Sequence, residues 1–127
     1  MPDPHARRPL VLLVEEETSE RLVLVEHLSE GGFDVIESSD SDHALQVLQS
    51  ESGIRAVVTD AHVPGAIDGF ELARTVCERW PGIATIMTSG HSDPSSGPVP
   101  QGSEFIVKPY LLERLLPTLR RLLRSPR

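Results

Sequence analysis

The stretch IRAVVTDAHVPGAIDGFELA, residues 54–73, decides the fold. Its first part, IRAVVT, is a short, nearly continuous apolar run rich in β-branched residues, which fits a strand buried on both faces. The run ends on Asp60, crosses a loop containing Pro64 and Gly65, and reaches DGFE. There Asp68 as N-cap and Glu71 three residues on form a capping-box-like pair at the start of a helix. A buried strand handing over to a helix through a short loop is the repeating unit of a parallel sheet.

Working outward, LVLLV (10–14) and DVI (34–36) read as strands before this one, and TIM (85–87) and FIV (105–107) as strands after it. Thr18 or Ser19 is expected to cap a helix with Leu22, Val25 and Leu28 on one face, stopping at Gly31-Gly32. Ser39 or Asp40 opens a second helix carrying Ala44, Leu45 and Leu48, and the DGFE helix ends at Pro81-Gly82. The alternation predicts an α/β fold, a doubly wound parallel five-stranded sheet with its chemistry at the carboxyl ends of the strands. It fails once. The segment SGHSDPSSGPVPQGSE, residues 89–104, is too rich in Pro, Gly and Ser for a long helix. A fourth helix shortened or replaced by an irregular, mobile loop is expected there. The last helix, YLLERLLPTLRRLLR, contains Pro117, which predicts a kink or a restart.

With 127 residues and 39% hydrophobic content, the chain reads as one domain over 10–124, preceded by a disordered lead-in (1–9) and followed by a short tail (125–127) with no output domain. A formal net charge of -7 argues against non-specific nucleic-acid binding. Arg114, Arg120, Arg121, Arg124 and Arg127 read as the solvated, dipole-favoured end of a helix. The one cysteine, Cys77, excludes an internal disulfide and reads as a small buried hydrophobe. No apolar run approaches the length of a membrane span, so a cytoplasmic protein with no membrane partner is expected.

The first strand ends in Glu15, Glu16 and Glu17, and the third in Asp60. If those strands are neighbours their ends converge, and carboxylates so close need a cation. An oxygen-rich set without a His or Cys pair suits Mg²⁺. The chain has eleven arginines but a single lysine, Lys108, just past the fifth strand, where a compact point charge can meet an anion. Ser89 adds a hydroxyl after the fourth strand. Acids, Asp, Ser and Lys at four strand ends describe a site for Mg²⁺ and a phosphoryl group, with the Asp carboxylate as nucleophile. Glu17, His62 and His91 read from the residues alone as bystanders, and Trp80 as packing.

The stretches VLLVEEE, AVVTDAHVPGAIDGFELA, TIMTSG and FIVKPY, in this order, resemble the response-regulator receiver domain of two-component signalling over about residues 9–124. The likeness is greatest to a stand-alone type with TSGH, a proline-containing loop and KPY in place of the fourth helix. The resemblance implies a flavodoxin-like (βα)5 fold with strand order 2-1-3-4-5. It makes Asp60 the acceptor of a phosphoryl group from a histidine kinase or a histidine phosphotransfer protein. It puts Glu15, Glu16, Asp60 and the backbone carbonyl of His62 around Mg²⁺, Glu16 directly and Glu15 through water. It makes Ser89 and Lys108 the groups that contact the phosphoryl oxygens, Phe105 the switch aromatic, and Pro109 part of a cis peptide. Two departures stand out: Asp is usual where Glu16 stands, and the segment from Ser89 to Lys108 is short, so signalling through a surface other than the fourth helix is expected.

The resulting expectation is a single-domain regulator acting as a phosphorelay, a phosphate sink or a phosphorylation-dependent binding partner. No enzyme activity is expected beyond autocatalytic phosphoryl transfer and self-dephosphorylation. The alternative is a pseudo-receiver, the same fold used as an interaction module without phosphorylation. A flavin-binding electron carrier is disfavoured because three glutamates would repel the cofactor's phosphate. A phosphatase would want a second acid two residues after Asp60, where His62 stands.

Overall fold

The computed structural model describes residues 8–90 and 99–124. Five strands, β1 (Leu10–Val14), β2 (Asp34–Ser38), β3 (Ile54–Asp60), β4 (Ala84–Ser89) and β5 (Ser103–Val107), form one sheet in the order 2-1-3-4-5. All four neighbouring pairs are parallel. The helices are α1 (Thr18–Glu30), α2 (Ser41–Ser50), α3 (Gly69–Arg79) and α4 (Leu111–Arg124), the last entered through a 3-10 turn at Lys108–Tyr110. This is the doubly wound sheet expected from the alternation, in the flavodoxin-like strand order that the resemblance implies.

Alternate residues of the central strands feed two layers, as the period of a strand requires. Val11 and Leu13 of β1 and Ala56 and Val58 of β3 pack with Leu24 and Leu28 of α1 and Leu115 and Leu119 of α4. Leu12, Val14 and Val57 pack on the other face with Ala44 and Leu48 of α2 and Leu72 and Val76 of α3. Both faces of β1 and β3 are therefore dry, which is why their sequences are continuous apolar runs.

The caps follow the reading at two helices and differ at one. Asp40 accepts from the His43 N–H and Asp68 from the Glu71 N–H. In α1 the cap is Glu17, in extended conformation, whose carboxylate accepts from the backbone N–H and hydroxyl of Ser19, while Thr18 is already helical. The buried stripe of α1 is Leu24 and Leu28, with Val25 half-buried, whereas Leu22 is 56% exposed. Leu24 follows Leu22 by two positions, more than half a helical turn, so the two cannot share a face.

At the C-terminal end, a restart of the last helix and a cis peptide before Pro109 are corrected. α4 runs through Pro117 as one element, without a restart. Pro117 is on the exposed side, where the carbonyl four residues back loses its N–H partner near solvent rather than in the core, while Leu111, Leu115, Leu119 and Leu122 hold the buried face. The described residues contain no cis peptide bond, so the Lys108–Pro109 bond is trans. Pro109 sits inside the 3-10 turn, where its fixed φ suits a helical entry, and the Leu111 N–H donates to the Lys108 carbonyl.

Among the described residues no helix separates β4 from β5. Residues 91–98, with His91 and most of the expected loop, lie outside the described residues, as do 1–7 and 125–127. The return to β5 is a turn in which Gly102 has φ +96 and the Ser103 N–H donates to the Pro100 carbonyl at 3.0 Å. Cys77 is half-buried rather than core, near the hydroxyls of Thr85 and Ser103. The arginines of α4 are exposed, with Arg121 paired to Glu104 and Arg120 donating to the Gly31 carbonyl. No described helix is long and apolar enough to cross a membrane.

Candidate functional site

The strand ends converge as the topology demands. Glu15 directly follows β1, its N–H donates to the Ser38 carbonyl at 2.9 Å, and it is only 3% exposed. Its carboxylate accepts from the Glu17 N–H at 2.9 Å. Arg21, on the first turns of α1, donates to the Glu15 carbonyl at 2.9 Å and to the Glu37 carboxylate at 3.0 Å, tying the turn after β1 to β2. Asp60 ends β3 and is buried, with Oδ1 accepting from the His62 N–H at 3.0 Å.

The loop after Asp60 is held from two sides. The Ser41 N–H at the start of α2 donates to the Pro64 carbonyl at 2.9 Å, and the Gly69 N–H at the start of α3 donates to the Ala61 carbonyl at 3.0 Å. A β-carbon on Gly69 would stand 2.0 Å from the Asp60 carbonyl oxygen and 2.8 Å from Ala61, so only glycine lets α3 begin this close to β3.

Lys108 arrives from the end of β5. Its Nζ lies 2.6 Å from Asp60 Oδ2, 3.0 Å from Glu20 Oε2 and 3.4 Å from Glu15 Oε1. One oxygen from each of Glu15, Glu20 and Asp60 falls within 4.8 Å of the others. Three carboxylates around one ammonium leave an excess of negative charge, and hard oxygen donors with no soft ligand are the chemistry of a Mg²⁺ site.

Burial, reinforced by the charges of Asp60 and Glu20, pushes Glu15 up to about 7 against the opposing pull of the Glu17 N–H and Lys108. Burial alone would lower Lys108, but its hydrogen bonds to Asp60 and Glu20 and the charges of Asp60 and Glu15 outweigh it and hold the ammonium above its ordinary value. Because Glu15 titrates from 4.5 to about 7 on folding, the native state binds more protons than the unfolded chain across that window. Stability therefore falls as pH rises from about 4.5 to 7 on this group's account. Thermal melts at pH 5 and pH 8 in metal-free buffer should show a smaller drop for Glu15→Gln than for the parent; an equal drop removes Glu15 as its source.

The structure thus brings together Glu15, Asp60 and Lys108 of the residues expected from sequence. Ser89 is buried at the end of β4, one residue past Thr88, the partner of Asp60 across the sheet. Phe105 is half-buried and packs with Val99 against Ala61, Phe70, Ala73 and Met87. The His62 side chain is exposed, and its contact with the site is the backbone N–H on Asp60. Glu16 is exposed and outside the three-carboxylate cluster; its carbonyl accepts from Arg21 at 3.4 Å. The carboxylate that the sequence reading missed is Glu20. Its only signal was its place in the first turn of α1, where an acid is equally explained by the helix dipole.

Residues 11–120 match the family model of the response regulator receiver domain. A putative response regulator NtrX-like protein of Rickettsia felis is 30% identical over 115 residues, which cover 87% of this chain and 24% of that protein. The chain thus spans about a quarter of the length of that relative. A response regulator receiver protein from Sinorhizobium medicae superposes with a TM-score of 0.83 at 29% identity, covering 94% of this chain and 97% of that one. The response regulator protein TrrA of Thermotoga maritima, solved in complex with Mg²⁺-BeF, has a TM-score of 0.82 at 25% identity, covering 91% and 99%.

Proposed function

The chain belongs to the response regulator receiver domain family, and from that premise we propose that it takes a phosphoryl group onto Asp60 from a histidine kinase or a histidine phosphotransfer protein. The single observation that carries the reading is Lys108 Nζ at 2.6 Å from Asp60 Oδ2, the chain's one lysine on the one buried aspartate among the described residues. The complex of TrrA with Mg²⁺-BeF lends support from a relative of the same fold.

The clustered carboxylates of Glu15 and Asp60 fit Mg²⁺, and Glu16 and the His62 carbonyl, which the family resemblance adds, would complete the set that holds it. When bound, the ion neutralises charge on phosphoryl oxygens. Asp60 supplies a carboxylate oxygen that forms a bond to phosphorus as the bond from phosphorus to the donor's imidazole nitrogen breaks. Lys108 and the Ser89 hydroxyl hold the phosphoryl oxygens, which is electrostatic stabilisation at the point where charge is redistributed. Phe105, half-buried beside Met87, reports the modified state to a downstream protein by changing rotamer.

Incubation with acetyl phosphate and Mg²⁺ should add one adduct of about 80 Da to the intact protein. Asp60→Asn should abolish it. No adduct on the parent, or one that survives the substitution, defeats the reading. The exposure of Glu16 favours one competitor, a receiver fold that binds partners without phosphorylation, and the same mass measurement separates the two.

A further inference from the structure

We propose that Glu20 is a positioning residue for Lys108. Of the three carboxylates around the ammonium, Glu15 and Asp60 are buried and belong to the acid site, whereas the Glu20 side chain is 46% exposed and comes from the helix. Glu20 and Lys108 line the mouth of a groove of about 270 Å³ between α1 and α4, with Val23, Leu24, Leu111 and Leu112 as its apolar walls. Lys108 opens the 3-10 turn directly after β5, and its one ammonium nitrogen meets Asp60 at 2.6 Å and Glu20 at 3.0 Å. Glu20 therefore holds the same nitrogen that Asp60 holds, but from a helix rather than from the sheet. When a cation takes the oxygens of Glu15 and Asp60, Glu20 remains as the anchor that keeps Lys108 at the rim, within reach of a phosphoryl group on Asp60. That last step rests on the function proposed above; the anchoring itself does not.

The sequence supplies a clean readout, because Lys108 is the only lysine. Acylation of its amine by a water-soluble succinimidyl ester, followed by peptide mass spectrometry, reports how firmly the ammonium is held. In metal-free buffer, Glu20→Gln should acylate at Lys108 about threefold faster than the parent, the size expected for losing one partly exposed ion pair. Glu26→Gln removes an equal, exposed charge from the same helix and should leave the rate unchanged. Melting temperatures measured alongside should stay within a few degrees for both variants, which separates positioning from general loosening. Equal acylation in Glu20→Gln and the parent overturns the proposal, as does the same acceleration in Glu26→Gln. Faster acylation of Glu20→Gln together with no Asp60 adduct on the parent leaves the anchor standing and sinks the phosphoryl reading instead.

Discussion

Lys108→Met is expected to destabilise the protein by about 3 kcal/mol at pH 8 in metal-free buffer, because it leaves Glu15, Glu20 and Asp60 facing one another without a cation. The size follows from burial: the Asp60 and Glu15 side chains are 9% and 4% exposed, so water cannot substitute for the ammonium. Two features distinguish this loss from simple loss of packing. The deficit should shrink at pH 5, where Glu15, already raised to about 7 in the parent, takes up a proton. It should also shrink on adding millimolar Mg²⁺, a replacement cation for the same oxygens. Urea unfolding at both pH values, with and without Mg²⁺, checks all three statements. A deficit below about 1 kcal/mol at pH 8 would mean that the three acids are not held together by the lysine.

Gly69→Ala should be nearly as costly, about 2–3 kcal/mol. The added methyl would overlap the Asp60 carbonyl oxygen and Ala61, both backbone of a buried segment that no side-chain rotation can clear. Relief requires α3 to retreat from β3, which pulls on the backbone that aims Asp60, so slower aspartyl phosphorylation should accompany the lower urea midpoint. Gly82→Ala is the control, since nothing lies within 4 Å of a β-carbon there. If the two alanine variants melt alike, the close approach at Gly69 is not a constraint.

The strand ends were legible because a buried parallel sheet writes itself as apolar runs, and each run stops where its first polar residue meets water or the site. Lys108 stood out as the one lysine, just past the fifth strand, and Asp60 could be set against the glutamates that end the first strand once strands 1 and 3 were taken as neighbours. Glu20 could not. Its reach to Lys108 depends on the phase at which α1 starts, and that phase is set by Glu17, whose long side chain caps the helix where Thr18 or Ser19 was expected. The same phase turned Leu22 outward and Leu24 inward. Pro117 misled for a related reason: proline argues against a helix interior, but four buried leucines on the opposite face outweigh one missing hydrogen bond. The trans bond before Pro109 depends on the 3-10 turn that starts there, a feature of three residues with no periodicity to read.

β5 is an edge strand, paired with β4 alone, and only Ile106 of its five residues is buried. The other edge, β2, carries none of the side chains Glu15, Asp60, Ser89 and Lys108, whereas β5 leads straight into Lys108. Glu15 and Asp60 thus stand at the ends of buried central strands, whereas the lysine follows a strand paired on one side alone, so backbone hydrogen exchange is expected to be slower in β1 and β3 than in β5. Fraying of β5 alone would withdraw the ammonium while β1 and β3 stay folded, a way for the site to lose its positive charge without the domain unfolding.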